Sequence, residues 1–257
     1  MTYKMVFFDI DGTLVDEGKN IPEDAKEAIR ALKQTGVEVA IATGRAHYHF
    51  RHIAEELGID SYVAFNGAYA VYKGETIYRN PLDREWLDDI ARHAAALRHP
   101  IVYLAERNCF ATDREHPDVG VSFDMLKVDP PEGGERFDIR REDVYEIMLY
   151  CRFHDEPHYA AYKNHAFIRA HEVYMDVIKQ GETKAKGIEE MIRRLGIAPA
   201  EVVAFGDGFN DVEMLTFVGM GVAMGNAPEG VRAAANYTTR RVEDGGIRHA
   251  LEHLKLI

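Results

Sequence analysis

The chain has 257 residues, 46% of them hydrophobic and 29% charged, with 31 Lys and Arg against 43 Asp and Glu for a formal net charge of −12. That length holds one large domain or two smaller ones, and the composition is that of a globular protein. The acidic balance, with no cluster of Lys and Arg, argues against a nucleic-acid partner, and no apolar run approaches the roughly 20 residues that would make a membrane partner plausible.

In chain order, the first apolar run is Lys4-Met5-Val6-Phe7-Phe8, which passes directly into Asp9-Ile10-Asp11-Gly12-Thr13. It is too short and too soon acidic for a secretory leader. Ala25, Ala28, Ile29 and Leu32 then recur at helical spacing, with Pro22 in the first turn, Glu23 and Asp24 at its positive end and Gly36 after its end. A second apolar run, residues 37–42, passes into Thr43-Gly44-Arg45. Asn66-Gly67 reads as a tight turn between two apolar runs, with Tyr69, Val71 and Tyr78 as hairpin packing.

Residues 81–180 read differently. A helix is expected at 83–97, short strands at 101–104, 109–112, 145–151, 166–170 and 174–178, a loop at 129–134 and a helix at 155–162. Cys109 and Cys151 form neither a metal-type nor a redox pair, so a reducing cytoplasm is the expected compartment. Beyond the insert, Ile188, Met191, Ile192 and Leu195 mark a helix closed by Gly196. Residues 202–205 run into Gly206-Asp207-Gly208-Phe209-Asn210-Asp211, and 221–224 run into Gly225-Asn226-Ala227-Pro228, where Asn226 is placed to cap the next helix. Ile247, Leu251 and Leu254 predict a last amphipathic helix.

Apolar strands alternating with helices predict an α/β fold with a doubly wound parallel sheet. The expected division is a core of residues 1–80 and 181–257 carrying an inserted α+β unit at 81–180. In such sheets ligands bind beyond the carboxyl ends of the strands, where all four polar clusters fall.

The chemistry derives from the clusters. Four carboxylates, Asp9, Asp11, Asp207 and Asp211, converge at one edge, and at ~4 Å with an effective dielectric near 20 each like pair costs roughly 4 kcal/mol. A divalent cation relieves this, and an all-oxygen set suits Mg2+. A carboxylate can attack phosphorus as a nucleophile, and a second can move a proton to the leaving oxygen and from water. Thr43 and the amides after it can hold phosphoryl oxygens, and Lys184 can neutralise their charge.

The combination Asp9-Ile10-Asp11-Gly12-Thr13, Thr43-Gly44-Arg45, Lys184 and Gly206-Asp207-Gly208-Phe209-Asn210-Asp211 resembles the four motifs of the haloacid dehalogenase-like hydrolase superfamily, in that family's order. The long insert resembles the cap of its Cof-type sugar-phosphatase branch. The resemblance implies a Rossmann-like core and a phosphatase acting on a small phosphorylated metabolite. It implies Asp9 as nucleophile, Asp11 as acid/base, and Mg2+ held by Asp9, the Asp11 backbone carbonyl and Asp207, with Asp211 in support. Asn210 would orient this shell and Lys184, while Thr43, Gly44 and Asn226 frame the phosphoryl pocket. Lys186, two positions on, competes with Lys184 for the third motif.

Weaker candidates keep a plain alternative. Arg45 touches substrate or is a surface ion-pair partner, and Asn66 lies at the mouth of the site or simply makes the turn. His47, His49 and His52 do not share one helical face, so a solvated helix is expected there. Glu182 and Glu213 are read as surface charges. A phosphomutase, or a sensor binding phosphate esters without turnover, would use the same motifs.

Overall fold

The computed structural model describes residues 2–133, 138 and 141–257. The chain opens with β1 (Met5–Phe8), α1 (Glu23–Gln34), β2 (Glu38–Ala42), α2 (Arg51–Leu57), β3 (Tyr62–Ala64), β4 (Tyr69–Tyr72) and β5 (Glu75–Arg79). It continues with α3 (Arg84–Leu97), β6 (Ile101–Ala105), β7 (Cys109–Ala111), α4 (Pro117–Leu126), β8 (Glu132–Gly133), β9 (Val144–Tyr150), β10 (His165–His171) and β11 (Tyr174–Lys179). Last come α5 (Lys184–Leu195), β12 (Val202–Gly206), α6 (Val212–Phe217), β13 (Met220–Ala223), α7 (Glu229–Ala234), β14 (Tyr237–Thr238) and α8 (Gly246–His253). Two units result, Met1–Arg79 with Thr183–Ile257, and Asn80–Glu182.

The first unit is built on a sheet ordered β14-β13-β12-β1-β2-β3-β4-β5. From β14 to β3 every pairing is parallel, and β4 and β5 close the edge as antiparallel hairpins. The chain winds one way from β1 through β3 and the other way from β12 through β14. The strand order therefore reverses between β1 and β12, where a ligand crevice opens in such sheets. Residues of β1, β2 and β12 such as Met5, Phe7, Ala40 and Val202 join Ile188 and Met191 of α5 in one buried cluster. Full burial of a side chain like Phe7 contributes about 1.5–3 kcal/mol.

The helices obey their sequence signals closely. α1 buries Ala25, Ala28, Ile29 and Leu32, has Glu23 and Asp24 in its first turn, and is succeeded by Gly36 at φ 85°. Pro22 stands just before that turn rather than in it. α5 ends on Gly196 in the left-handed conformation, which glycine adopts without the Cβ clash of other residues.

The second unit has a sheet ordered β10-β11-β9-β6-β7-β8, antiparallel except for the β7–β8 pair. α3 packs Leu87, Ile90 and Ala94 against Ile101, Ile147, Leu149 and Val177. It is capped by Asp83, whose side chain accepts from the Glu85 and Trp86 N–H groups. Three expectations change here. Pro117–Leu126 forms α4, which the sequence reading did not mark. The helix expected at 155–162 is a short tight one at Phe153–Tyr159. In the loop expected at 129–134, Glu132 and Gly133 pair with β7 and Gly134 lies outside the described residues. Among the described residues no helix is long and apolar enough to cross a membrane.

Candidate active site

β1 delivers Asp9 to the carboxyl edge of the sheet. The Asp9 N–H donates to the Phe205 carbonyl at 2.9 Å, extending the β1–β12 pairing one residue beyond the strand. Lys184 is the first residue of α5, after Thr183, whose hydroxyl accepts from the Lys186 N–H at 3.2 Å. The start of α5 lies directly on the turn after β3. A Cβ on Gly67 would stand 2.0 Å from the Thr183 carbonyl oxygen, and one on Gly187 would stand 2.3 Å from Val63 Cγ1. This close approach buries Lys184, whose Nζ donates to Asp9 Oδ1 and Asp211 Oδ1 at 2.6 Å each. Lys186 instead makes exposed pairs with Glu189 and Glu190. The geometry thus separates the two lysines that spacing left in competition.

The β12 edge supplies the other acids. Asp211 is fully buried, and its Oδ2 accepts from the N–H groups of Asp207 and Gly208 at 2.9 Å. Asp207 accepts from the Thr13 hydroxyl at 3.1 Å and from Asn226 Nδ2 at 3.1 Å. The same Asn226 nitrogen donates to the Gly12 carbonyl at 2.8 Å, and its oxygen accepts from the Val242 N–H at 3.2 Å. Asn226 is therefore not the helix cap it was expected to be; α7 begins after Pro228 with no side-chain cap. Gly12, at φ 76°, lets the chain pass Asp207, because a Cβ there would lie 2.2 Å from its carboxylate.

Asp9, Asp207 and Asp211 each offer a carboxylate oxygen within 4.8 Å of the others. At ~4.8 Å and an effective dielectric near 20, each like pair costs roughly 3.5 kcal/mol. Among the described residues a single ammonium, that of Lys184, is bonded into this group. Burial, opposed by Lys184 and reinforced by Asp211, raises the Asp9 carboxyl to about 8. Burial and then Asp211 raise Asp207 to about 6. Burial alone would lower Lys184, but Asp9 and Asp211 outweigh it and hold the ammonium above the usual range. An oxygen-only donor set with surplus negative charge fits a hard divalent cation such as Mg2+.

The Asp11 side chain is engaged by cations. Arg45 grips it as a fork, Nε to Oδ2 at 2.7 Å and a terminal nitrogen to Oδ1 at 2.5 Å, and Lys19 Nζ also donates to Oδ1. Burial pushes this carboxyl up, but Arg45 first and Lys19 second outweigh it and hold it below the ordinary carboxylate range. Arg45 is thus an ion-pair partner within the site rather than on an outer surface. Lys19 belongs to no motif and the sequence reading passed over it. Its only signal is a turn-forming neighbourhood, Asp16, Gly18 and Asn20.

The remaining candidates are also placed. Thr43 is buried; its N–H donates to the Val63 carbonyl and its hydroxyl accepts from the Arg45 N–H at 3.1 Å. Asn66, in the left-handed conformation at φ 51°, packs on Gly44, where a Cβ would lie 2.8 Å from its Oδ1. Asn210 is exposed, and the orienting bond to Lys184 comes from Asp211 instead. His47 is not solvated as expected; its ring stacks with those of Tyr62 and Tyr69, and burial lowers it to about 4. Glu182, read as a surface charge, is buried and accepts from Asn80 Nδ2.

Comparison with known proteins places the chain in a family. The family model described as haloacid dehalogenase-like hydrolase matches residues 6–251. YkrA of Bacillus subtilis (strain 168) is 38% identical over 257 residues, spanning 100% of both chains. A crystal structure of a protein from Geobacillus kaustophilus HTA426 superposes with a TM-score of 0.95 at 46% identity, covering 99% of this chain and 100% of that one. The structure of BT4131, described as a HAD subclass IIB sugar phosphatase, gives a TM-score of 0.83 at 31% identity, covering 99% and 100%. The chain therefore belongs to the haloacid dehalogenase-like hydrolases.

Proposed function

We propose that this enzyme is a Mg2+-dependent phosphatase that hydrolyses a small phosphorylated metabolite through an aspartyl phosphate on Asp9. The observation that carries the reading is the buried Lys184 bridging Asp9 and Asp211 beside Asp207. Asp9 would attack phosphorus and expel the ester oxygen, to which Asp11 delivers a proton. In the second half, Asp11 takes a proton from the water that hydrolyses the aspartyl phosphate. Its two cations favour the ionised form that this second step needs. They oppose the protonated form that the first step needs, so the first half draws on the small protonated fraction.

Lys184 and the Thr43–Gly44 segment would hold the phosphoryl oxygens, with Asn66 and Asn226 fixing the walls and Asn210 at the rim. Mg2+ would be held by Asp9, Asp207 and the Asp11 backbone carbonyl with Asp211 behind, and supplies charge compensation for the dianionic phosphoryl group. The inserted unit, residues 81–180, is assigned the choice of leaving group. The likeness to a sugar phosphatase makes sugar phosphates the first class to try, ahead of nucleotides and cofactor phosphates. A cytoplasmic location suits such a substrate.

The test is phosphate release from a panel of phosphorylated metabolites, with Mg2+ and with excess chelator. Turnover that chelator stops and Mg2+ restores is the expected result. Turnover indifferent to chelator would overturn the metal assignment, and no release from any compound by folded protein would overturn the hydrolytic one.

A further inference from the structure

The turn that carries Lys19 is more elaborate than a connection requires. Lys19 has φ 65°, the left-handed region, which costs a side-chain-bearing residue roughly 1–2 kcal/mol. Three bonds hold the turn: the Lys19 N–H to the Asp16 carbonyl at 2.9 Å, the Asp16 N–H to the Asn20 carbonyl at 3.0 Å, and the Asn20 N–H to Asp16 Oδ1 at 2.8 Å. The ammonium of this strained residue ends on Asp11 Oδ1, where Arg45 also donates. Strain retained where a side chain meets a catalytic group points to function.

Asp11 needs such support. Its side chain is 42% exposed, whereas Asp9 and Asp211 are closed in by the sheet edge and α5. Arg45 sets the plane of the carboxylate through its two parallel bonds. A fork on a single long side chain still lets carboxylate and guanidinium shift together, and a second cation anchored on a different segment opposes that shift.

We propose that Lys19 is a positioning residue for Asp11, holding the carboxylate in place while it acts as the base in hydrolysis of the aspartyl phosphate. In that step the water oxygen bonds to phosphorus and the bond between phosphorus and the Asp9 oxygen breaks, restoring the carboxylate. One water proton passes to Asp11 and inorganic phosphate leaves. The inference rests on the phosphatase reading above.

The test uses p-nitrophenyl phosphate with Mg2+, in rapid-mixing and steady-state modes, on the full-length protein. Its leaving group departs easily, so kcat/KM reports formation of the aspartyl phosphate and kcat reports its hydrolysis. Lys19→Met should lower kcat about ten-fold, below the roughly 10²–10⁴-fold that a whole acid–base residue contributes. The kcat/KM should stay within about two-fold, so KM falls with kcat, and a burst of one p-nitrophenolate per site should precede slow turnover. Lys19→Arg should restore kcat, and Lys19→Met should add nothing in an Asp11→Asn background.

Wild-type kcat in Lys19→Met, or an equal fall of kcat and kcat/KM, would overturn the positioning role. If Asp11→Asn itself turns over like wild type, it is the assignment of Asp11 that fails. A stalled Asp11→Asn beside a fully active Lys19→Met removes Lys19 alone.

Discussion

Withdrawing divalent cations with excess chelator should leave an acidic cluster whose contribution to stability falls as pH rises toward 8. In the cation-free cluster, Asp207 keeps its proton up to about 6 and Asp9 up to about 8, because burial and neighbouring carboxylates disfavour their charge. Unfolded, both lose it near the ordinary 3.8. At these two carboxyls the folded chain binds more protons than the unfolded one, so their contribution to stability falls with each step upward in pH. His47, His49 and His165, which burial lowers to about 4, work the other way below the ordinary 6.5. Of the rise of Asp207 from 3.8 to about 6, the part above pH 5 corresponds to ~1.4 kcal/mol, which its partial exposure reduces to ~1 kcal/mol. Asp9 adds in the same direction. A ~1 kcal/mol loss amounts to about 2–4 °C in Tm for a unit of this size.

Thermal unfolding monitored by circular dichroism at pH 5, 6.5 and 8, in chelator and in Mg2+, reads the effect. Mg2+ at a hundred times its Kd should return about 2.7 kcal/mol, with more of the gain at pH 8 than at pH 5. A Mg2+ increment that is equal at pH 5 and pH 8 would refute the surplus-charge argument.

Other perturbations probe separate parts of the site. Asp9→Asn should abolish phosphate release while keeping a folded circular dichroism spectrum, since the amide is nearly isosteric but a poor nucleophile; wild-type turnover would sink the assignment. Gly187→Ala forces a methyl to within 2.3 Å of Val63 Cγ1 and should cost about 1–3 kcal/mol in urea unfolding, with lower turnover as Lys184 moves. An unchanged urea midpoint would contradict the close-packing account. Asn226→Ala removes the donor shared by the Gly12 carbonyl and Asp207 and should cost about 1–3 kcal/mol and weaken Mg2+. Calorimetric titration showing wild-type Mg2+ affinity would count against that bridge.

The sequence by itself determined the α/β class and the grouping of polar clusters at strand ends. Strands covered on both faces appear as near-continuous apolar runs, and the polar residues at the carboxyl end of each run must emerge at the sheet edge. Asp9, Thr43, Asp207 and Asp211 were legible for that reason. The ends of α1 and α5 were legible because charge bias and Gly36 or Gly196 act within a turn of the helix.

Tertiary structure alone decided which of several chemically similar side chains are desolvated and paired. Lys184 and Lys186 share one helix and one side-chain type, yet only the first is pressed inward where α5 meets Gly67. Asn226 has the local signature of a cap, but its amide is taken by Gly12 and Asp207 from distant segments. Lys19 carries no periodicity or motif, and its meeting with Asp11 and Arg45 exists only once β1 and β2 lie side by side. Local propensity acts over a few residues, whereas burial and ion pairing depend on segments that folding brings together.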